Sequence, residues 1–537
     1  MAEMTVRQAC FEVLRAFGID RVFGNPGSTE LSFLREFPED FEYVLGLQEA
    51  VVVGMADAHA ALTRRPSVVS LHTAAGVGNA MGALTNARDN KTPILVVAGQ
   101  QHREMLVAEP MLANPDATLL PRPSVKWSHE SARAQDVPTD FAKALTAAMT
   151  PPFGPVFLST PMDDFDAVLG GDDLARLDSV LARRADLRPV VAEDRLDAIA
   201  ERLDSARNPA LVFGGEVDWD ESVSAAVRLA EATGAPVWSA PVEGRLCFPN
   251  DHPLYRGALE PATGLIAETL SPHDLVLVAG APVFKYYPYV PGPWLAPATD
   301  LLHLTSSPRE AATAVAGSSW VGHVGQALES LSKKVQTHRE EPEPRPGPQR
   351  SEPADPLLPE TVFATVAPLA PDDAVWVNES PSNNPQFLDQ VRLSRPSSFF
   401  TAAGGGLGYG MAAAVGASLA APSRKVVAVI GDGSAQYAVP AFWTARQWDA
   451  DVVFLVLRNE EYAILKWFAQ FEETPAVPGL DVGGLDIAAI ASGYGIPAVT
   501  ARSADEVAEA FSEAVGASGP SLIEVPITTV FPTLGGQ

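Results

Sequence analysis

Short apolar runs rich in Val, Ile and Leu recur along the whole chain, and segments with helical spacing of apolar residues separate them. Runs of this kind are typical of strands that are buried on both faces. Strands that alternate with helices favour parallel sheets covered by helices on both sides. The strands predicted in this way are Arg21–Phe23, Val68–Leu71, Ile94–Ala98, Ala210–Phe213, Val237–Ser239, Leu275–Ala279, Ala374–Val377, Val426–Ile430, Val452–Leu457 and Leu522–Val525.

Chain length and two changes in composition divide the chain into three parts. A chain of 537 residues is too long for a single hydrophobic core. The segment Gln336–Pro356 is dense in proline and charge, which predicts an extended surface linker. A softer boundary, with two adjacent glycines and several charges, lies near residues 167–189. We therefore expect an α/β protein of three doubly wound parallel-sheet domains, at residues 1–180, 181–335 and 358–537, with a linker at 336–357.

Charge and composition exclude several classes of partner. The chain has 38 Lys and Arg against 66 Asp and Glu, a net charge of −28, which argues against binding to nucleic acid or an anionic membrane. No apolar run approaches the roughly 20 residues that cross a bilayer, and the first residues lack the pattern of a secretory signal. Cys10 and Cys247 are the only cysteines, so we expect no disulfide framework and a cytoplasmic location.

Two predicted strands end in polar motifs. One leads into the segment Gly431–Ser434, which reads Gly-Asp-Gly-Ser, and the next leads into Arg458–Tyr462. Asp432 and Asn459 offer the oxygen ligands that Mg²⁺ prefers. The glycines let backbone N–H groups approach a diphosphate, and Ser434 adds a hydroxyl donor. Gly-Asp-Gly alone is more often a plain turn, but the second polar strand end favours a site for a metal ion and a diphosphate.

A dinucleotide site is the competing use of a glycine-rich turn. The run Gly404–Gly410 does not follow the G-x-G-x-x-G pattern that opens a helix directly after a strand. The segment Gly431–Ser434 lacks the third glycine of that pattern. An NAD site is therefore not favoured.

Three further polar residues have both a functional and a structural interpretation. Glu49 lies within the apolar segment Tyr43–Val53, where a buried carboxylate can be catalytic, yet a Glu is also common at a helix N-terminus. Ser28 in Pro-Gly-Ser is typical of a helix cap, and His72 at a strand end is often structural. The residues alone leave these alternatives open.

These motifs resemble the thiamine-diphosphate signature, and the resemblance extends over essentially the whole chain. The chain resembles the thiamine-diphosphate-dependent 2-oxo acid decarboxylases, most strongly those that act on benzoylformate. The segments that carry this resemblance are Val22–Ser28, Leu47–Ala50, Leu71–Ala80, Ala98–Gln101, Leu120–Pro123 and Gly280–Phe284.

The resemblance implies a cofactor site with an assigned metal. It implies Mg²⁺, for which Ca²⁺ can substitute, held by Asp432, Asn459 and the backbone carbonyl of Glu461. It also implies that Glu49 hydrogen-bonds the pyrimidine ring of thiamine diphosphate and that Leu407 wedges the two rings into a bent shape. The implied cofactor contacts are Glu49, Ser382, Gly405, Leu407, Asp432, Gly433, Ser434, Asn459 and Tyr462.

The resemblance also implies a substrate pocket, in which this chain departs from the family. Ser28 would bind the substrate carboxylate, and His72 would handle protons at the carbonyl oxygen. Tyr287 stands where the family has a second catalytic histidine, and a phenol releases a proton less readily than an imidazolium near neutral pH. The implied pocket comprises Ser28, His72, Met111, Leu112, Tyr287, Pro381, Thr401 and Ile464, of which Pro381, Thr401 and Ile464 also differ from the family pattern.

The function implied by the resemblance is non-oxidative decarboxylation of a 2-oxo acid to an aldehyde and CO₂, with benzoylformate as substrate and benzaldehyde as product. One alternative is a carboligase that couples the decarboxylated fragment to a second aldehyde, which the changed residue Tyr287 favours. Another is a non-catalytic homologue that binds the cofactor. In this family Glu49 meets a cofactor whose diphosphate another subunit holds, which implies a homodimer at least and commonly a homotetramer.

Overall fold

The computed structural model describes residues 4–183, 185–336, 354–474 and 476–531. Most of the predicted linker, residues 337–353, lies outside the described residues.

The N-terminal part forms a six-stranded parallel sheet between layers of helices. Its strand order is β3-β2-β4-β5-β7-β6, and the short strands β1 and β8 pair separately in antiparallel fashion. The strands are β1 Met4–Thr5, β2 Arg21–Asn25, β3 Glu42–Leu45, β4 Ser67–Leu71, β5 Ile94–Gln100, β6 Trp127–Glu130, β7 Val156–Pro161 and β8 Val168–Leu169. The helices are α1 Val6–Ala16, α2 Leu31–Leu34, α3 Glu49–Thr63, α4 Thr73–Asp89, α5 Val137–Ala148 and α6 Gly171–Ala182.

The middle part forms a second six-stranded parallel sheet. Its strand order is β11-β10-β9-β12-β13-β14, the order of a dinucleotide-binding fold. The strands are β9 Pro209–Phe213, β10 Val237–Ser239, β11 Tyr255–Ala258, β12 Leu275–Ala279, β13 Asp300–Thr305 and β14 Ser318–Val321. The helices are α7 Glu193–Ser205, α8 Glu216–Trp219, α9 Val223–Thr233, α10 Thr263–Leu270, α11 Pro308–Thr313 and α12 Val324–Lys334.

The C-terminal part forms a third six-stranded parallel sheet, in the order β16-β15-β17-β18-β20-β19. The strands are β15 Val375–Glu379, β16 Phe399–Phe400, β17 Val426–Gly431, β18 Val452–Arg458, β19 Ala498–Thr500 and β20 Ser521–Pro526. The helices are α13 Pro359–Val366, α14 Asn384–Gln390, α15 Tyr409–Ala420, α16 Asp432–Ala435, α17 Ala441–Gln447, α18 Ala463–Phe471, α19 Ile487–Gly493 and α20 Ala504–Gly516.

The prediction of three doubly wound parallel sheets is confirmed. The predicted strands are all present, and six of the ten extend further toward the carboxyl end, where polar residues, glycine or proline continue the ladder. The C-terminal sheet shows the largest shift, since Ala374 precedes strand β15 and the strand runs on to Glu379. Helix α6 ends at Ala182, two residues beyond the predicted boundary of the first domain.

The first and third sheets share one topology, and in each the order in which successive strands are added to the parallel sheet reverses between two neighbouring strands. The reversal lies between β2 and β4 in the N-terminal sheet and between β15 and β17 in the C-terminal sheet. Ligands of open α/β sheets bind at the carboxyl ends of the strands at such a reversal. The topology therefore identifies two crevices for functional side chains.

Helices α3 and α15 join these two sheets into one body. A Cβ added to Gly416 of α15 would lie 2.0 Å from the carbonyl oxygen of Met55, so the helix backbones are in close contact. One apolar cluster runs across this contact, from Phe23 and Val69 of the first sheet to Val377 and Ala428 of the third. Among the described residues, no helix is both long and apolar enough to span a membrane.

Candidate active site

The N-terminal crevice carries a histidine and a buried carboxylate. His72 follows strand β4, and its Nδ1 lies 2.9 Å from Oε2 of Glu30 and 3.0 Å from Oγ1 of Thr29. Glu30 is 3% exposed and also accepts hydrogen bonds from the backbone N–H groups of Gly27 (2.9 Å) and Gly99 (2.8 Å). A carboxylate can only accept here, so the hydrogen of this contact belongs to Nδ1, and in the neutral imidazole Nε2 is then a proton acceptor.

Gly27 permits this arrangement because its backbone passes close to the imidazole. A Cβ at this position would lie 2.2 Å from Nδ1 of His72. The next residue, Ser28, begins a 3₁₀ turn after strand β2 and is exposed. Ser28 and His72 therefore follow the two strands that border the crevice.

Glu49 is the first residue of α3, and it packs against α4. Its carboxylate is nearly buried (9% exposed), and Oε2 accepts a hydrogen bond from Nδ2 of Asn79 at 3.1 Å. A Cβ added to Gly76 would lie 3.4 Å from Oε1. Its position at the helix N-terminus and its burial against α4 fit the structural and the catalytic interpretation alike.

The C-terminal crevice carries the predicted metal ligands. Asp432 directly follows β17 and Asn459 directly follows β18, and these strands pair along their whole length. The Asp432 carboxylate accepts backbone hydrogen bonds from Gly433 (2.8 Å) and Glu460 (2.7 Å), which joins the two strand ends. Burial raises the pKa of Asp432, and those N–H groups act in the opposite direction.

The donor set suits a hard cation bound to a diphosphate. No group of three His, Cys, Asp or Glu that suits a metal occurs in the described part of the chain, so a metal here would need amide and carbonyl oxygens besides Asp432. Asn459 Oδ1 points back toward the turn and accepts the Glu461 N–H at 3.3 Å. The ring of Tyr462 covers Gly433, since a Cβ there would lie 2.6 Å from it. The buried carboxylate of Asp432 and the half-buried amide of Asn459 offer oxygen ligands of the kind that fit Mg²⁺ and a phosphate.

A glycine loop before α15 forms the other side of the C-terminal crevice. Asn86 of α4 accepts a hydrogen bond from the Gly406 N–H (3.0 Å) and donates one to its carbonyl (2.8 Å). Gly405 has a φ of +71°, and a Cβ there would meet no atom within 4 Å, so its backbone is open to a ligand. Leu407 follows, half-buried. The loop thus offers backbone groups and one apolar side chain.

Several predicted pocket residues lie on helix α18 or in contact with it. It contacts the 3₁₀ turn Pro381–Asn383, which contains Pro381 and Ser382, and it carries Ile464. The ring of Tyr287, in the middle domain, contacts that of Phe468 on the same helix in a tilted arrangement, with ring centroids 4.9 Å apart, and Tyr287 is 62% exposed. Three parts of the chain therefore meet around α18.

The remaining predicted pocket residues lie elsewhere. Met111 and Leu112 lie on the loop after β5, and Met111 is 83% exposed. Gln100 anchors this loop through hydrogen bonds with Asn114. Thr401 donates its N–H to the carbonyl of Gly244 at 3.0 Å, which places it at the junction with the middle domain.

Within one chain, the two crevices lie at opposite ends of α4. Glu49 contacts Gly76 and Asn79 near its start, whereas Gly406 contacts Asn86 near its end. Seven residues of α-helix span about 10 Å. The structure therefore brings the predicted residues together as two half-sites.

Three residues with clear roles in the crevices were not predicted. Glu30 lies two positions after Ser28, and the spacing Gly27 to Glu30 is that of a capping box, which was the available signal. Asn79 and Asn86 have no such signal, because their roles depend on how α4 packs against other elements.

A separate cavity of about 500 Å³ lies between the N-terminal and middle domains. Lys91 reaches into it and pairs with Glu216 and Glu310. None of the predicted site residues lines this cavity, so we assign the site to the two crevices.

Family models of thiamine pyrophosphate (thiamine diphosphate) enzymes match all three domains. The N-terminal TPP binding domain matches residues 4–118, the central domain residues 196–331 and the C-terminal TPP binding domain residues 383–525.

The chain is also similar to characterised members over its whole length. It is 48% identical to benzoylformate decarboxylase of Pseudomonas aeruginosa, over 98% of this chain and 100% of that protein. A solved Rhodococcus jostii RHA1 thiamine diphosphate-dependent 4-hydroxybenzoylformate decarboxylase superposes with a TM-score of 0.96 at 43% identity, covering 98% of this chain and 100% of that one. The benzoylformate decarboxylase of Polynucleobacter necessarius gives 0.95 at 42% identity, covering 99% and 100%. The chain therefore belongs to the thiamine-diphosphate enzymes, within their 2-oxo acid decarboxylase family.

Proposed function

We propose that this protein decarboxylates an aryl 2-oxo acid, with benzoylformate as the substrate and benzaldehyde and CO₂ as the products. The observation that carries the proposal is the pairing of two crevices: one with Ser28, His72 and Glu49, the other with Asp432 and Asn459 at adjoining strand ends. The benzoylformate decarboxylases to which the chain is similar support the choice of substrate.

Thiamine diphosphate, when bound, supplies a nucleophilic carbon and an electron sink for the loss of CO₂. The roles of this chain's residues are to bind, orient and move protons. Glu49, held against Asn79 and largely shielded from water, would hydrogen-bond the pyrimidine ring. Ser28 would donate a hydrogen bond to the substrate carboxylate. His72, with Nε2 as the acceptor, would exchange a proton at the substrate's carbonyl oxygen.

We propose Mg²⁺ as the metal, with Ca²⁺ as a substitute. Asp432 and Asn459 would each give one side-chain oxygen, and Glu461 would give its backbone carbonyl. The Glu461 side chain is already engaged by Lys466 and Thr529, which leaves the backbone as the part of this residue available to a metal. Ser382, Gly433, Ser434 and Tyr462 would surround the diphosphate, and Gly405 and Leu407 would contact the aminopyrimidine.

The separation of the half-sites supports a homodimer, which pairs further into a tetramer. Since Glu49 and Gly406 contact opposite ends of α4, the Glu49 of one subunit would serve the cofactor held by its partner. Exposed apolar side chains, including Met111 and Leu465, are suited to burial at such an interface.

The domain limits and the compartment remain proposals of the same kind. We place the domains at residues 1–180, 181–335 and 358–537, joined by the linker at 336–357. Cys10 and Cys247 are buried in different domains and unpaired, which suits a reducing compartment, and we propose the cytoplasm.

A carboligase is the second candidate, and Tyr287 is the residue that favours it. A tyrosine delivers the proton that completes the aldehyde less readily than a histidine does, so a second aldehyde has longer to react. The contact of Tyr287 with Phe468 places a phenol, and not an imidazole, beside helix α18.

Steady-state kinetics with Mg²⁺ and thiamine diphosphate test the proposal. Benzoylformate, phenylpyruvate, pyruvate and branched 2-oxo acids are compared, with and without added aldehyde. We expect the largest kcat/KM with benzoylformate and benzaldehyde as the main product. Turnover of pyruvate but not of benzoylformate would contradict the substrate, and a coupled hydroxyketone as the main product would select the carboligase.

A further inference from the structure

Glu379 is a buried carboxylate at the C-terminal crevice. It is the last residue of β15 and is 6% exposed. It pairs in register with Ile430, which precedes the Gly431–Ser434 motif, so it borders the reversal between β15 and β17. Glu379 therefore lies where the topology expects a ligand.

The two carboxylate oxygens of Glu379 accept hydrogen bonds from backbone N–H groups where the glycine loop leads into α15. Oε1 accepts the N–H groups of Gly408 (2.7 Å) and Tyr409 (3.2 Å), and Oε2 accepts that of Gly410 (2.8 Å). The first N–H groups of an α-helix have no partner within the helix, and a carboxylate there is stabilised by the helix dipole. Burial raises the pKa of Glu379 to about 7, and the three N–H groups oppose that effect.

The backbone of the glycine loop packs against the side chain of Glu379 without room for a larger residue. A Cβ at Gly410 would lie 2.7 Å from the Cβ of Glu379 and 3.0 Å from Oε2, so a larger residue displaces the carboxylate. Gly408 has a φ of +96°, a conformation that other residues rarely adopt.

Leu407 lies between two anchors. On one side Asn86 of the N-terminal domain holds both backbone polar groups of Gly406. On the other side Glu379 holds Gly408, the residue directly after Leu407. The backbone from Gly406 to Gly408 is thus fixed from two domains.

We propose that Glu379 is a positioning residue for the cofactor, because it holds Leu407 and the Gly405 carbonyl in the conformation that receives the aminopyrimidine ring. The inference rests on the proposed function, since it assigns the glycine loop to thiamine diphosphate. A carboxylate that served only to stabilise α15 would affect folding and not cofactor affinity.

Isothermal titration of the apo-protein with thiamine diphosphate in Mg²⁺ tests this for Glu379→Gln. The amide keeps the size of the side chain, but its N–H₂ group is a donor and cannot accept a hydrogen bond. At least one of the three backbone N–H groups therefore loses its acceptor. Loss of a hydrogen bond to a charged group leads us to expect cofactor binding weaker by about 10-fold or more.

Asp140→Asn is the matched control. Asp140, on α5 of the N-terminal domain, is also buried, at 4% exposure, and its carboxylate accepts a hydrogen bond from Ser131 at 2.8 Å. We expect this variant to lower thermal stability while its cofactor affinity stays within about 2-fold of the original protein. Equal affinity loss in both variants would show a general stability effect and overturn the inference.

Gly410→Ala provides a second route, since it keeps the carboxylate but moves it. We expect a similar loss of cofactor affinity in this variant. If Gly410→Ala binds the cofactor as tightly as the original protein, the inference fails, even where Glu379→Gln does not fold. Failure of the unaltered protein to bind thiamine diphosphate would instead reject the proposed function, so the two failures are distinct.

Discussion

Nδ1 of His72 lies 2.9 Å from Oε2 of Glu30, and that carboxylate is itself held by two backbone N–H groups. The imidazole is therefore fixed in orientation and in tautomer by a side chain that is almost wholly buried.

Glu30→Gln tests this arrangement. The amide can donate to Nδ1 and stabilise the other tautomer, in which Nε2 carries the proton and no longer accepts one. We expect kcat/KM on benzoylformate to fall about 100-fold, within the range for general acid–base groups, while cofactor affinity is retained. Glu42→Gln, an exposed change in the same domain, is the control. If a folded Glu30→Gln protein has the kcat/KM of the original protein, the proposed proton-transfer role of His72 is wrong.

Glu49→Gln separates activation of the cofactor from its binding. An amide cannot act as the acidic partner of the pyrimidine ring, so we expect kcat to fall by about 10³-fold. The proposed diphosphate site lies in the other crevice, so the dissociation constant of thiamine diphosphate should change little. Steady-state kinetics and calorimetry on the same preparation measure both quantities. Full turnover by this variant would mean that Glu49 only starts α3.

Asp432→Asn should have the opposite profile. Replacing the only carboxylate in the proposed ligand set weakens the metal site, so we expect Mg²⁺-dependent cofactor affinity to fall about 100-fold. A chelator added to the unaltered protein should release the cofactor in the same way, and Mg²⁺ should restore it. Cofactor retained at high chelator concentration would contradict a metal-dependent diphosphate site.

Tyr287 determines the ratio of the two products in our proposal. Tyr287→Phe keeps the ring contact with Phe468 but removes the hydroxyl proton. We expect aldehyde release to slow by about 10-fold or more and the share of coupled product to rise when aldehyde is added. Tyr287→His should reverse this shift. Tyr289→Phe, which alters an equally exposed neighbour, is the control and should leave the product ratio unchanged.

Asp57 on α3 gives a pH-dependent prediction. Burial raises its pKa from 3.8 to about 6, although Thr92, Asn90 and Arg245 oppose the shift. Between pH 4 and 6 the unfolded chain loses this proton before the folded protein does, so the contribution of Asp57 to stability falls as pH rises, by about 3 kcal/mol in all.

Asp57→Asn has no carboxyl group at this position and so does not lose stability through it as pH rises. The unfolding temperature of the variant minus that of the original protein should therefore increase from pH 4 to pH 7. The amide oxygen can still accept the Asn90 hydrogen bond. Asp178→Asn, on the exposed face of α6, should show a difference that does not depend on pH. If the difference in unfolding temperature between Asp57→Asn and the original protein is constant from pH 4 to pH 7, the Asp57 carboxyl ionises in the folded protein as it does in the unfolded chain, which contradicts the prediction.

The sequence predicts the sheets well because fully buried strands leave an almost unbroken apolar run, as in Val452–Leu457. It also predicts that Asp432 and Asn459 directly follow strands, because a polar residue at the end of an apolar run can be recognised from the sequence alone. Strand ends are predicted less well, because Asn378 and Glu379 continue the ladder of β15 despite their polarity.

Contacts between distant elements are not visible in the sequence. Nothing local marks Asn86 as a partner of Gly406, since 320 residues separate them. Phe468 likewise gains its contact with Tyr287 only through the packing of the middle domain on α18. The roles proposed for Ser28 and His72 come from the resemblance to a family, and the buried carboxylate of Glu30 beside the histidine is visible only in the structure.

The position of the two half-sites at opposite ends of α4 has a genetic consequence. A subunit with Glu49→Gln keeps an intact diphosphate crevice, and one with Asp432→Asn keeps an intact Glu49. In the homodimer that we propose, each variant alone would be inactive, but a hybrid of the two would contain one complete centre and one doubly defective centre. Two recessive alleles of this gene should therefore complement each other when co-expressed, to at most half the activity of the original dimer.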